Sequence, residues 1–128
     1  MSQRVIATEL TPATLEQAQK RLGRNVMIVK IGASWCAPCR KIKGVCDNYF
    51  ASLPSNVVCA DIDVDECIEL YATLKRRKMV NGVPTILAFY GDVSRDQWYI
   101  PDDSVSGGDI SQVKNFFERC ASKARTLN

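Results

Sequence analysis

The protein has 128 residues, of which 46% are hydrophobic and 24% charged, and a formal net charge of +3. This length and composition suit one globular domain with a single core, over residues 1–128. The small positive charge, without a basic stripe interleaved with aromatic residues, argues against a nucleic-acid partner.

The N-terminal stretch MSQRVIATELTPATLEQ has neither the apolar core nor the small-residue cleavage site of a secretory signal peptide. No stretch approaches the roughly 18 to 20 consecutive apolar residues of a membrane span. We therefore expect a soluble protein without a membrane partner, made in the reducing environment of the cytoplasm.

The first part of the chain predicts alternating strands and helices. RVIAT, Arg4–Thr8, is short and suits an edge strand. A helix follows in TPATLEQAQKRLGR, because Thr11 can cap its start and Gly23 suits its end. VMIVKIGA, Val26–Ala33, is β-branched and almost continuously apolar, which is typical of a central buried strand.

The rest of the chain continues the alternation and ends in a hairpin and a helix. A helix runs from the cysteine pair through CRKIKGVCDNYFASL to near Pro54, and NVVCADIDVD is the next strand. ECIELYATLKRRK predicts a helix, PTILAFYGD a strand, and QWYIPDDSVS contains a more polar strand. Asp109 caps a last helix through ISQVKNFFERCASKA. This order predicts an α/β fold, parallel in its first half and antiparallel at its end.

The stretch ASWCAPCRK places Cys36 and Cys39 two residues apart, which raises the question of a metal site. A structural zinc site needs four ligands, usually a second cysteine pair or two histidines, and this chain has neither. Cys46 would lie roughly 10 Å from Cys39 along the helix, too far to share an ion. We therefore expect no metal, and the lack of histidine also removes the commonest general base.

A redox-active pair fits the position of these cysteines better. They lie where a buried strand leads into a helix, the context in which C-x-x-C indicates a thiol–disulfide couple. A cysteine at a helix N-terminus has its thiolate stabilised by unpaired backbone N–H groups and by the helix dipole. Pro38 fixes φ early in the helix and stiffens the small ring.

Three motifs, WCAPC (Trp35–Cys39), DIDVDEC (Asp61–Cys67) and GVPT (Gly82–Thr85), resemble the thioredoxin family. The resemblance covers about Val26 to Asp92. It implies the thioredoxin fold, in which helices flank both faces of a central mixed β-sheet. It also implies an enzyme, a protein disulfide reductase. A disulfide oxidase or isomerase with the same couple, and a non-catalytic interaction module of the same fold, remain as alternatives.

The resemblance assigns roles to matching residues. Cys36 is implied as the exposed nucleophile that forms a mixed disulfide, and Cys39 as the thiol that resolves it. Pro84 corresponds to a cis-proline facing the pair, which would expose the backbone of Val83 to a substrate strand. Alignment from the final helix places Ser106 at the last groove position, and Gly107 is the alternative because the family prefers glycine there. The implied substrate-binding residues are Trp35, Ala37, Pro38, Ile62, Gly82, Val83, Pro84 and Ser106.

The family also implies how such a protein is supplied with electrons. No cofactor would be bound, because the redox-active group is the Cys36–Cys39 disulfide. The partners would be disulfide-containing proteins and a thioredoxin-reductase-like donor that uses NADPH. The protein itself would act as a monomer.

This chain departs from the family pattern at three positions. Ala37 and Gly44 stand where the family usually has glycine and a helix-kinking proline. Lys30 stands where typical thioredoxins carry a buried acid that helps to deprotonate the resolving cysteine. Lys30 could act as a neutral base, stabilise the Cys39 thiolate as a cation, or point outward as an ordinary structural residue. Our hypothesis is electrostatic tuning of Cys39.

The remaining cysteines and one basic run are interpreted from their sequence context. Cys67 follows the acidic strand end and, by resemblance, is expected to be exposed, which makes it a candidate regulatory or dimer-forming thiol. We interpret the Lys75–Lys78 run as a solvated helix end, with an acidic partner surface as the alternative. The inert core thiols are predicted to be Cys46, Cys59 and Cys120.

Overall fold

The computed structural model of the protein describes residues 4–128. The predicted elements are present there in the predicted order. The described residues form β1 (Ile6–Ala7), α1 (Pro12–Lys20), β2 (Val26–Gly32), α2 (Ala37–Ser52), β3 (Val57–Asp63), α3 (Ile68–Arg76), β4 (Thr85–Tyr90), β5 (Asp103–Ser106) and α4 (Ile110–Leu127).

The strands form one mixed sheet in the order β1-β3-β2-β4-β5. β3 pairs in parallel with β1 and β2, whereas β4 pairs antiparallel with β2 and β5. β2 is the central strand, and all seven of its residues are buried, as its apolar sequence predicts. In this register Lys30 lies opposite Asp61 of β3 and Ile86 of β4.

Helices cover both faces of the sheet, which confirms the predicted fold class. Alternate residues of a strand point to opposite faces, so β2 contributes to two separate clusters of buried side chains. Val29 and Ile31 belong to the cluster that contains Leu15 of α1 and Leu70 of α3. On the other face, the buried cluster contains Val26, Ile28, Ile42, Phe50, Phe116 and Phe117, which join β2 to α2 and α4.

Arg4 ties the N-terminal segment to the end of α2. Its guanidinium donates to the carbonyl oxygen of Phe50, to those of Leu53 at 2.7 Å and Pro54 at 2.6 Å, and to that of Val57 at 3.0 Å. The last carbonyls of a helix have no partner within the helix, and a cation near them is favoured by the helix dipole. Arg4 therefore anchors the C-terminal end of the helix that carries the cysteine pair.

Candidate active site

Cys36 and Cys39 lie at the start of α2 and form a disulfide, with their Cα atoms 5.2 Å apart. Cys36 is the N-cap residue, and its Sγ accepts a hydrogen bond from the backbone N–H of Cys39 at 3.2 Å. Because a thiolate accepts such a bond more strongly than a thiol, this position favours the ionised form of Cys36.

The nucleophile was expected to be exposed, and that expectation is wrong for the disulfide form. Cys36 is 5% exposed and Cys39 is 7% exposed. The Sγ of Cys36 is bonded to Cys39 and lies 3.7 Å from the carbonyl oxygen of Val83.

The loop before β4 faces the pair. The Val83–Pro84 peptide bond is cis, as predicted from GVPT. Pro84 is buried, and its carbonyl oxygen accepts a hydrogen bond from the N–H of Gly107 at 2.9 Å. Gly82 and Val83 are half-buried, so part of their surface remains open beside Cys36.

The other residues predicted to form the groove differ in how exposed they are. Trp35 is 64% exposed, and its indole N–H donates to a carboxylate oxygen of Asp65 at 2.9 Å. Ala37 and Pro38 are exposed beside it. Ile62 is only 1% exposed, because its side chain belongs to the buried cluster that contains Leu15 and Leu70. The expectation that Ile62 forms part of the rim is therefore wrong.

The loop after β5 closes the site from the opposite side. Ser106 is exposed at the end of β5, where it pairs with Thr85, and Gly107 follows with φ of 93°. The sequence reasoning missed Gly108, although the paired glycines of SGGD are a signal of close approach. A Cβ on Gly108 would lie 3.0 Å from the Cβ of Pro38, a tight contact that glycine avoids where this loop approaches the cysteine turn.

Behind the disulfide, a cavity of about 330 Å³ lies between α2 and the ends of β2 and β3. Cys39, Lys30 and Asp61 all line it. Lys30 is 6% exposed, and its Nζ lies 3.6 Å from a carboxylate oxygen of Asp61. The alternative in which Lys30 points outward is therefore wrong, whereas its effect on Cys39 stays a prediction.

The four free cysteines are all buried. The expected exposure of Cys67 is wrong, because it is 6% exposed and its Sγ lies 3.6 Å from the carbonyl oxygen of Thr8. Burial raises the pKa of the Cys46 thiol to about 11 and those of Cys59 and Cys120 to about 12. These three thiols are buried as predicted, and burial in apolar surroundings makes them poor nucleophiles.

Three further observations concern the basic run, metal binding and membrane spans. The Lys75–Lys78 run is exposed at the end of α3, and Arg77 stacks over the ring of Tyr99 at 4.8 Å. Among residues 4–128, no cluster of three or more histidine, cysteine or acidic side chains could hold a metal ion. No helix in that range is long and apolar enough to cross a membrane.

A profile of the family described as Thioredoxin matches residues 7–102. The chain therefore belongs to the thioredoxin family. Mouse thioredoxin is 36% identical over 61 residues, 44% of this chain and 53% of the mouse protein. Horse thioredoxin is 35% identical over 80 residues, 60% of this chain and 69% of the horse protein. The match thus spans about half the length of the mouse relative and about two thirds of the horse relative.

Solved thioredoxin structures share the fold along most of the chain. The Malassezia sympodialis thioredoxin superposes with a TM-score of 0.69 at 20% identity, covering 94% of this chain and 96% of the other. The Fasciola hepatica thioredoxin gives a TM-score of 0.67 at 25% identity, covering 88% and 97%. The likeness thus extends beyond the segments matched by sequence alone.

Proposed function

We propose that this protein is a thiol–disulfide oxidoreductase, acting as a protein disulfide reductase through the Cys36/Cys39 couple. The observation that carries the proposal is the position of Cys36. It caps α2 with its Sγ accepting the N–H of Cys39, and Cys39 is already bonded to it. One sulfur is thus activated by the helix N-terminus, and the second is within bonding distance.

The proposed reaction is two successive thiol–disulfide exchanges. The Cys36 thiolate attacks one sulfur of a substrate disulfide, which forms a mixed disulfide and releases the other substrate sulfur as a thiolate. The Cys39 thiolate then attacks the Sγ of Cys36 and breaks the bond to the substrate. The substrate gains two electrons and, after protonation, leaves as a dithiol, while Cys36 and Cys39 become the disulfide.

Substrate binding would use the surface around Cys36. The backbone of Val83, whose carbonyl oxygen lies 3.7 Å from the Sγ of Cys36, would pair with an extended substrate segment. Trp35, Ala37 and Pro38 would border that segment on one side, and the loop of Ser106 and Gly107 on the other. Electrons would return to the disulfide from a separate NADPH-dependent reductase by the same exchange chemistry.

The second candidate is oxidation or isomerisation of protein disulfides by the same couple. Lys30 favours it, because a buried cation that lines the cavity of Cys39 would stabilise a thiolate and with it the reduced form. A reduction potential well above that of glutathione would support this candidate. A potential close to that of known reductases would leave the reductase assignment in place.

We further propose that the chain works as a single-domain monomer in the cytoplasm. Four cysteines remain as free thiols in the structure, a condition that a reducing compartment maintains. Sedimentation of the reduced protein as one species of monomer mass would support the monomer.

The test of the catalytic proposal is reduction of the insulin disulfides by dithiothreitol. We expect the wild-type protein to accelerate this reaction and Cys36→Ser to abolish the acceleration. Cys46→Ser is the matched control, because Cys46 is a fully buried thiol on the same helix, and it should retain activity if it folds. A wild-type protein that gives no acceleration would favour the non-catalytic interaction module.

The Cys39→Ser variant identifies the substrates. Without the resolving thiol, Cys36 should remain covalently bound to its substrate, and the complex should separate only after reduction. Cys36→Ser is the negative control in the same pull-down. Equal recovery of partners by both variants would contradict the assignment of Cys36 as nucleophile.

A further inference from the structure

A buried ion pair lies under the helix that carries the cysteine pair. Lys30 of β2 and Asp61 of β3 are opposite each other in the parallel register, with their charged atoms 3.6 Å apart. The Lys30 side chain is 7% exposed, and the Asp61 side chain is 35% exposed. An ammonium group is costly to bury without a partner, and Asp61 supplies that partner for Lys30.

The direction of Lys30 follows from the alternation of β2. Lys30 lies on the same face as Val26 and Ile28, which pack against α2 and α4. Gly32 lies on that face too, and a Cβ placed on it would be 3.6 Å from the Sγ of Cys39. Lys30 thus precedes Gly32, the residue next to Cys39, by two residues on the same face of β2, which is about 7 Å along the strand.

Lys30 and Asp61 act on the Cys46 thiol of α2 with opposite sign. Burial raises the pKa of Cys46, while the Lys30 cation lowers it and the Asp61 carboxylate raises it. Cys46 lies two helical turns from Cys39 on the same side of α2, and both are buried. The ion pair therefore lies close enough to α2 to act on Cys46, and Cys39 lines the same cavity as the pair.

The other charged groups around the cavity are held by partners or lie near solvent. Arg40 donates to the carbonyl oxygen of Ser34 at 3.0 Å, and Lys43 pairs with Asp47 at 2.6 Å. The Lys43 side chain is 66% exposed. Asp63 accepts from the backbone N–H groups of Ser34 and Asp65, and Glu66 is exposed. The charged residues that line the cavity are Lys30, Arg40, Lys43, Asp61, Asp63 and Glu66.

We propose that Lys30, held in place by Asp61, stabilises the thiolate of Cys39 through the cavity, so that resolution of the mixed disulfide needs no general base. The inference rests on the proposed exchange reaction and assigns Lys30 as a positioning residue that acts through Cys39. Lys30 dominates over Asp61 because its side chain is the more buried of the two and its field is less screened by water. The proton of Cys39 passes to solvent, and the thiolate then attacks the Sγ of Cys36.

The test is a pH titration of Cys39 in the reduced protein, followed by the ¹³Cβ chemical shift of labelled cysteine. We expect Lys30→Met to raise the midpoint by about one pH unit. Lys30→Arg should restore it, since it keeps the charge. Lys43→Met is the matched control, because it removes a cation from the same cavity at an exposed position, and it should leave the midpoint almost unchanged. An unmoved midpoint in Lys30→Met would overturn the proposal.

Lys30→Gln keeps the test decisive if Lys30→Met does not fold. A neutral side chain that can still hydrogen-bond to Asp61 should also raise the Cys39 midpoint, and an unchanged or lowered midpoint would overturn the proposal. The titration needs no substrate and no turnover. Its outcome is therefore independent of insulin reduction, and a failure of the proposed function would be recognised separately.

Discussion

Burial and position give the cysteines of this chain two opposite chemistries. Cys36 lies at a helix N-terminus, where the N–H of Cys39 points at its sulfur and favours an anion. Cys46, Cys59 and Cys120 are surrounded by apolar side chains that disfavour the same charge. The residue type is identical in all cases, so the difference in reactivity comes from the groups around each sulfur.

The prediction at the scale of residues concerns the rates at which the cysteines are alkylated. In the reduced, folded protein at pH 8, iodoacetamide should modify Cys36 at least about tenfold faster than Cys46, Cys59 and Cys120, because the thiolate is the reactive species. Mass spectrometry of timed digests measures this, and protein unfolded in urea is the control in which all thiols should react alike. Modification of Cys120 as fast as Cys36 would contradict the burial described here.

At the scale of elements, α2 runs without a break from Ala37 to Ser52 through Gly44. A Cβ on Gly44 would meet nothing within 4 Å. Gly91, just after β4, is the opposite case, since a Cβ there would overlap the carbonyl oxygens of Gly23 and Asn25. Packing therefore leaves room for a side chain at Gly44 but not at Gly91.

The two glycines give a matched pair of stability predictions. Gly44→Ala should stabilise the protein by about 0.5 to 1 kcal/mol, because alanine loses less backbone entropy in a helix and has room here. Gly91→Ala should destabilise it by about 1 to 3 kcal/mol through steric overlap. Urea denaturation measures both free energies of unfolding. Destabilisation by Gly44→Ala would indicate that a flexible point in α2 is needed.

For the molecule as a whole, the buried thiols couple stability to pH. Their pKa values rise from 9.0 to about 11 for Cys46 and to about 12 for Cys59 and Cys120 on folding. A raised native pKa contributes stability that is present below the unfolded value and is lost as the pH rises through the native value. The unfolded chain ionises first, so stability should fall above about pH 9.

This whole-molecule prediction is tested by urea denaturation of the reduced protein at pH 8 and pH 10. Each buried thiol should contribute a loss of up to about 1.4 kcal/mol per pH unit in this range. Cys120→Ala should show a shallower loss than the wild type, although its stability at pH 8 will also differ. Equal pH dependence of the two proteins would contradict the assignment of the loss to these thiols.

The sequence by itself determined the elements and the reactive pair. Thr11 and Asp109 cap the helices that their spacing predicts, and the apolar run of β2 is a central strand. These features depend on residues within one or two turns of each other, so their physics is local. The W-C-A-P-C and G-V-P-T motifs likewise predicted the cysteine pair and the cis peptide bond that the structure contains.

Only the tertiary structure decided which distant groups meet. The partner of Lys30 is set by the register of β2 against β3, the burial of Cys67 by contact with Thr8, and the end of α2 by Arg4. The approach of Gly108 to Pro38 likewise joins two loops that are far apart in the chain. Spacing along the chain does not encode these contacts, because each depends on how separate elements pack together.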